Sequence, residues 1–285
     1  MKKIILTFVL ILCTAVLFSC EKDIPTENTG DTEAVSSYDT VENETLHPAP
    51  AIDGEHPALI AHGGGAVYGY RLTNSLEALD SSYANGFRFF ELDFEVTSDG
   101  QYVLLHDWDS MAGRMLFRRG NMSLDEFNSA EKFASLNLLD LEGLLEWLDG
   151  HEDCYIITDG KCGNEPFLAR LYEGAGKLSE RFIPQAYSYA EYEMAKNIGF
   201  ERVILTLYRM NDTEEGLLYF AEAQKPWAIT IPSSVLTQTL VSGFAELGIY
   251  TYAHTVNDLT FFEEWHKYGL YGIYTDYFCP VKWVY

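Results

Sequence analysis

Nine short apolar runs recur from Ala58 to the end of the chain, and most are separated by an amphipathic stretch of helical period. The runs are ALIAH, FRFFELDFEV, YVLLHD, CYIITDGK, FIPQAYS, RVILTLY, WAITIP, IYTYAHTV and YGIYTDY. Between them lie segments such as NSLEALDSSYANGF, DLEGLLEWLDG, AEYEMAKNIGF and DLTFFEEWHKYG, several ending in the glycine that commonly stops a helix. Strand–helix alternation at roughly 25–30 residues per unit predicts a parallel α/β sheet. With about eight such units, closure into a TIM-type (β/α)8 barrel, somewhat irregular and forming a single domain, is favoured over an open sheet. An open dinucleotide-binding sheet would want a GxGxxG turn after the first strand, and HGGGAVYG does not supply one.

One connection departs from the pattern. Only TSDGQ separates ELDFEV from YVLLHD, too short for a parallel crossover and suited to a hairpin with a glycine turn. An antiparallel pairing about Ser98–Asp99 would return His106 roughly opposite Glu91.

The N-terminus reads as an export segment. Residues 1–19 carry Lys2 and Lys3 followed by an apolar run, the layout of a secretory signal and short for a permanent membrane span. The tail LFSC resembles a bacterial lipobox, which makes Cys20 the expected lipidation site and the protein an extracytoplasmic, membrane-anchored lipoprotein. Residues 20–55 are acidic and poor in large apolar side chains, the composition of a flexible tether. The folded domain is expected over 56–285. Cys154, Cys162 and Cys279 then remain, an odd number without CxxC spacing, so neither a disulfide framework nor a zinc site is indicated. A net charge of −24 argues against a nucleic-acid partner and against an anionic lipid surface. Membrane association is accordingly expected through the lipid anchor only.

Charged residues at the ends of the apolar runs carry the chemistry. Glu91 and Asp93 are two apart on a strand and share a face. Carboxylates in an apolar run are costly unless paired or coordinating a cation, and all-oxygen ligation favours Mg2+ or Ca2+. Asp159 and Lys161 repeat the same spacing at the end of IITDGK, where the lysine is suited to a phosphate oxygen. His62 and His106 end two further runs. In a parallel barrel the strand ends face one mouth. Two histidines, three carboxylates and a lysine converging there form a coherent set for metal-assisted phosphodiester cleavage. One histidine would accept a proton from the attacking hydroxyl, and the other would protonate the leaving alkoxide. Gln185, Tyr187 and Tyr208 lie near further strand ends and are candidate pocket-lining residues. His56, His151 and His266 fall in loop or helix positions and read as surface residues. The glycines of AHGGG also suit an esterase oxyanion loop, but the nucleophile elbow G-x-S-x-G occurs nowhere in the chain.

The order AHGGG, TNSLEAL, ELDFEVTSDGQYVLLHD, IITDGK, HTVND, GLYGIYTDY resembles the glycerophosphodiester phosphodiesterase family, from about Ala58 to Phe278. The resemblance implies a barrel similar to that of phosphatidylinositol-specific phospholipases C. It implies hydrolysis of a small glycerophosphodiester to glycerol phosphate and an alcohol. His62 and His106 would be the acid/base pair, Glu91, Asp93 and Asp159 the ligands of one divalent cation, and Lys161 the phosphate contact. The chain departs from the family in four places. Gly63 stands where the family has arginine, Leu72-Thr73 where it has Pro-Glu, Asp159 where many members have glutamate, and His254 where it has tryptophan. Arg71 is a candidate replacement cation. The alternative readings are a phospholipase C- or D-like activity on lipid headgroups and a catalytically inactive surface-binding lipoprotein.

Overall fold

Eight of the nine apolar runs pair in parallel and close on themselves. The computed structural model describes residues 49–50 and 54–282, so the expected signal, the Cys20 lipidation site and most of the tether lie outside the described residues. The strands are β1 (Leu59–Ala61), β2 (Phe89–Val96), β3 (Tyr102–Leu104), β4 (Tyr155–Gly160), β5 (Phe182–Ala186), β6 (Ile204–Thr206), β7 (Ala228–Pro232), β8 (Thr251–His254) and β9 (Gly272–Thr275). Around the sheet the order is β1-β9-β8-β7-β6-β5-β4-β2, and β1 closes it by pairing with both β9 and β2. The result is the expected TIM-type barrel.

The helices are α1 (Leu76–Ala84), α2 (Ser110–Met115), α3 (Leu124–Ser129), α4 (Leu141–Asp149), α5 (Asn164–Ala175), α6 (Tyr189–Ile198), α7 (Glu214–Gln224), α8 (Gln238–Glu246) and α9 (Leu259–His266). Local chemistry starts most of them. Ser75, Ser123, Asp140, Ser188, Thr213, Thr237 and Asp258 each accept a backbone N–H from the first turn that follows, satisfying donors the helix leaves open.

Strand alternation then sorts side chains into two layers. On β2, Phe90, Leu92 and Phe94 pack outward beneath the helices, whereas Phe89 joins Ile60, Ile157, Ile183, Ile204, Tyr252 and Tyr274 in the barrel interior. Each of the eight parallel strands thus contributes an apolar side chain to the barrel interior, β7 through Ala228. Residues of the same parity farther along must then emerge at the mouth.

The short TSDGQ connection is a hairpin. β3 runs antiparallel to β2, with Phe94 opposite Leu104 and Val96 opposite Tyr102. The Leu105 amide donates to the Asp93 carbonyl at 3.1 Å, which carries the chain back to the mouth at His106. The segment beyond it forms its own small core, in which Met111, Met115, Met122 and Phe127 pack with Val103 and Leu138.

The opposite end of the barrel corrects one expectation. His56 is no surface residue: 8% exposed, its ring stacks on Tyr250 at 3.6 Å and on Trp227 at 4.5 Å. Its Nε2 lies 3.0 Å from the Trp227 carbonyl. The aromatic residues at the N-terminal strand ends leave a slot that a flat imidazole fills, a complementarity invisible in sequence. His151 and His266 are also partly buried rather than fully exposed. His151 stacks on Trp147 at 4.0 Å. Cys154, Cys162 and Cys279 are all free thiols.

Candidate active site

The first strand delivers His62 at the mouth, in a short 3-10 turn over His62–Gly64. Nδ1 of His62 lies 2.8 Å from Asp276 Oδ1, and Nε2 lies 3.2 Å from the Thr255 hydroxyl. Asp276 follows β9, the strand paired with β1, and Asn257 donates to its other oxygen at 2.7 Å. Gly63 directs its amide at Glu91, donating to the carboxylate at 2.9 Å. It does so at φ +54, and a Cβ there would stand 2.8 Å from the Leu72 Cα. Leu72 therefore occupies the space that any side chain at position 63 would need. Two of the departures from the family pattern, Gly63 and Leu72, are therefore one packing arrangement.

Glu91, Asp93 and Asp159 converge because their strands are in register. Asp93 on β2 is the direct lateral neighbour of Asp159 on β4, and both have the inward parity of Phe89 and Ile157. Oxygens of the three carboxylates lie within 4.8 Å of one another. Lys161 joins them, with Nζ 3.0 Å from Asp93 and 2.6 Å from Asp159. Asn74, in the loop before α1, clamps Asp93 twice: Nδ2 donates to its carboxylate at 2.8 Å, and the Asp93 amide donates to Oδ1 at 3.0 Å. The Tyr187 hydroxyl donates to Asp159. Fully ionised, as a bound cation would make them, the three carboxylates outnumber the Lys161 ammonium by two, an excess that a divalent cation redresses. With oxygen donors only, the cluster fits a hard ion such as Mg2+ or Ca2+.

His106 enters from the hairpin side. Its Nδ1 lies 2.9 Å from Asp107 Oδ2, while Asp107 also accepts the Met111 amide at 3.1 Å in the first turns of α2. The helix start and the histidine orientation therefore share one carboxylate.

The electrostatics follow from burial and crowding. Burial, and then the adjacent Asp93 charge, pushes Glu91 up to about 8. Burial opposes charge on His62, but the Asp276 hydrogen bond and the charges of Glu91, Asp276 and Asp93 outweigh it and lift the imidazole to about 9. Burial likewise opposes charge on Lys161, yet Asp93, Asp159 and Glu91 hold it protonated above the usual lysine range. His254 goes the other way: burial, with the charges of His62 and Lys161, pushes it down to about 4, so it is neutral at pH 7.

A cavity of about 330 Å3 joins these groups. His62, Glu91, His106, Asp159 and Lys161 line it, as do the sequence candidates Gln185, Tyr187 and Tyr208. Asp93 lies behind Lys161 and does not line it. Arg71 is also outside the lining; its guanidinium is mostly exposed and stands 3.6 Å from Asp276 Oδ2. The cation on the wall that sequence reasoning missed is Arg209, stacked 4.7 Å from the Tyr187 ring centroid. Asn74, Asp276 and Thr255 were missed as well. Asp276 was findable, since it continues the inward parity of β9 past Tyr274. Nε2 of His254 and the hydroxyl of Tyr274, both on the wall, have no hydrogen-bond partner among the described residues. An unsatisfied buried polar group costs about 1–3 kcal/mol, and a ligand or water would relieve it.

The model of the glycerophosphoryl diester phosphodiesterase family matches residues 62–278. Solved structures show the same fold at low identity. A phosphodiesterase of Oleispira antarctica, in complex with the product sn-glycerol-3-phosphate, superposes with a TM-score of 0.64 at 19% identity, covering 78% of this chain and 93% of that one. A glycerophosphodiester phosphodiesterase of Thermotoga maritima gives 0.61 at 19% identity, covering 78% and 95%. A glycerophosphoryl diester phosphodiesterase of Parabacteroides distasonis gives 0.62 at 17% identity, covering 80% and 85%. The chain therefore belongs to the glycerophosphoryl diester phosphodiesterase family and is a phosphoric diester hydrolase.

Proposed function

We propose that this protein hydrolyses small glycerophosphodiesters to glycerol phosphate and an alcohol, with His62 and His106 as the acid/base pair. The observation that carries the reading is the arrangement of two histidines and a buried carboxylate cluster around one cavity. Glu91, Asp93 and Asp159 would hold one Mg2+ or Ca2+. When bound, that ion supplies Lewis-acid stabilisation of charge on the phosphoryl oxygens.

The chain's own groups account for the proton transfers. The Asp276 carboxylate favours the imidazolium form of His62, so His62 is the donor to the departing alkoxide. His106 is the acceptor for the attacking hydroxyl, and its pairing with Asp107 through Nδ1 leaves Nε2 for that task. The attacking group is water or a neighbouring hydroxyl of the substrate. Lys161 and Arg209 supply positive charge around the phosphate, Arg209 doing the work for which Gly63 has no side chain. Gln185, Tyr187, Tyr208 and the neutral His254 shape the remaining wall.

The test is turnover of glycerophosphocholine, followed as released glycerol phosphate, with and without chelator. Turnover that is lost on chelation and restored by Mg2+ or Ca2+ supports the reading. Absence of turnover with either ion overturns it. The proposal further places the enzyme outside the cytoplasm on a lipid anchor at Cys20, supported by the LFSC sequence. Metabolic labelling with palmitate should mark the wild type and not Cys20→Ala.

A further inference from the structure

Large apolar side chains remain exposed on one side of the barrel. Eight are prominent among the described residues, and six of them follow the mouth-side ends of strands. Tyr68 follows β1, Phe117 lies beyond β3, and Tyr208, Val235, Leu259 and Tyr277 follow β6, β7, β8 and β9. The other two sit on α7 and at the C-terminal turn. In the order of the barrel the six form an arc from β6 through β9 and β1 to the β2–β3 hairpin.

The arc is physically continuous at several points. Phe117 packs near Phe133 at 6.4 Å, and Phe133 meets Tyr70 edge-on at 4.7 Å. The Ala66 amide donates to the Asp276 carbonyl at 2.8 Å, which joins the Tyr68 loop to the segment bearing Tyr277. Tyr208 belongs both to the arc and to the cavity wall.

Two features set this arc apart from ordinary scattered exposure. Tyr68 at φ +52 and Phe117 at φ +54 hold the left-handed backbone region, where a bulky aromatic is unfavourable, while exposing 71% and 61% of their surface. Neither the backbone nor solvation favours an aromatic there. Five of the nine arginines lie beyond the same strand ends: Arg209, then Arg71, Arg118 and Arg119 paired with Asp276, Glu126 and Asp109, and Arg114 on α2 over the Tyr70 ring.

We infer that the mouth face docks on a phospholipid bilayer, and that the enzyme draws phosphodiesters carried by that surface. Aromatic side chains interleaved with arginines suit the headgroup layer, where rings enter the interface and guanidinium groups meet phosphates. A protein partner over the same arc would cover the cavity that activity needs open. A lipid surface presents the phosphodiester itself. The inference rests on the reading of the cavity as a phosphodiesterase site, and it extends the expected membrane contact beyond the anchor.

Sedimentation with phosphatidylcholine vesicles, using the full chain carrying Cys20→Ser so that no anchor contributes, tests the docking without turnover. The protein should pellet with vesicles, and Tyr68→Asn/Phe117→Asn should weaken partitioning by about tenfold while leaving kcat/KM on glycerophosphocholine unchanged. Asparagine accepts the left-handed region better than an aromatic, so the fold is not threatened. Val235→Ser/Leu259→Ser, farther round the arc, should weaken partitioning in the same way. Protein that stays in the supernatant, or variants that partition like the parent, would overturn the docking. Failure to hydrolyse glycerophosphocholine would overturn the site reading and leave the partitioning result standing.

Discussion

Asp276 holds His62 through a 2.8 Å contact to Nδ1, joining the last strand of the barrel to the first. The contact raises the imidazole above its ordinary value of 6.5 to about 9, with Glu91 and Asp93 contributing. The sign follows directly. Stability contributed by charged His62 is fully present below about 6.5 and is lost as pH rises through about 9. In metal-free protein, NMR titration of His62 should give a midpoint near 9, and Asp276→Asn should move it toward 6.5. An unmoved midpoint would show that Asp276 does not set the protonation state. The same variant should lower kcat, because the donor to the leaving group is then less often charged.

The carboxylate cluster should couple ion binding to stability. At about a hundred times its dissociation constant, a bound ion adds roughly 2.7 kcal/mol. For a domain of this size that raises Tm by roughly 5–10 °C. Mg2+ or Ca2+ should produce such a rise in calorimetry. Asp159→Asn should abolish it while the unliganded protein stays folded, since the substitution removes repulsion as well as a ligand. A parent protein whose Tm ignores both ions would contradict the assignment of this cluster.

His106→Ala should reduce kcat by roughly 10²–10⁴ with little effect on the fold, the usual loss for a general base. Near-normal turnover would remove His106 from the mechanism.

Asp107 offers a separate pH handle on the same histidine. Burial would raise its carboxyl, but the His106 contact and the Ser110 and Met111 donors outweigh that and hold it at about 2. Its contribution is present above its ordinary value of 3.8 and is lost as pH falls through about 2. Acid unfolding of Asp107→Asn should therefore be flatter across that window than that of the parent. Parallel curves would argue against the pairing.

Gly63→Arg, which restores the family residue, should not restore function. The side chain would start 2.8 Å from the Leu72 Cα at a backbone φ of +54. The left-handed conformation alone costs about 1–3 kcal/mol. Denaturant unfolding should show the variant weakened, with activity on glycerophosphocholine reduced rather than raised.

Much of this was legible in the chain because a strand has period two. A parity that begins at buried Ile60, Phe89, Ile157 and Tyr274 in the barrel interior arrives at His62, Asp93, Asp159 and Asp276 at the mouth, and neither rule needs tertiary coordinates. The hairpin at TSDGQ was equally readable, since five residues cannot cross over in parallel. Contacts between segments distant in sequence were not. Which carboxylate meets His62 and that His56 plugs an aromatic slot both depend on strand closure, whereas Leu72 fills the space beside Gly63 through the path of the loop that joins them. The position of Arg209 on the cavity wall, and of Arg71 outside it, depends on how each loop leaves its strand end. Local periodicity determined which residues could reach the mouth. Packing across the closed barrel decided which of them meet there, because shape and charge complementarity belong to pairs of surfaces and not to any one segment.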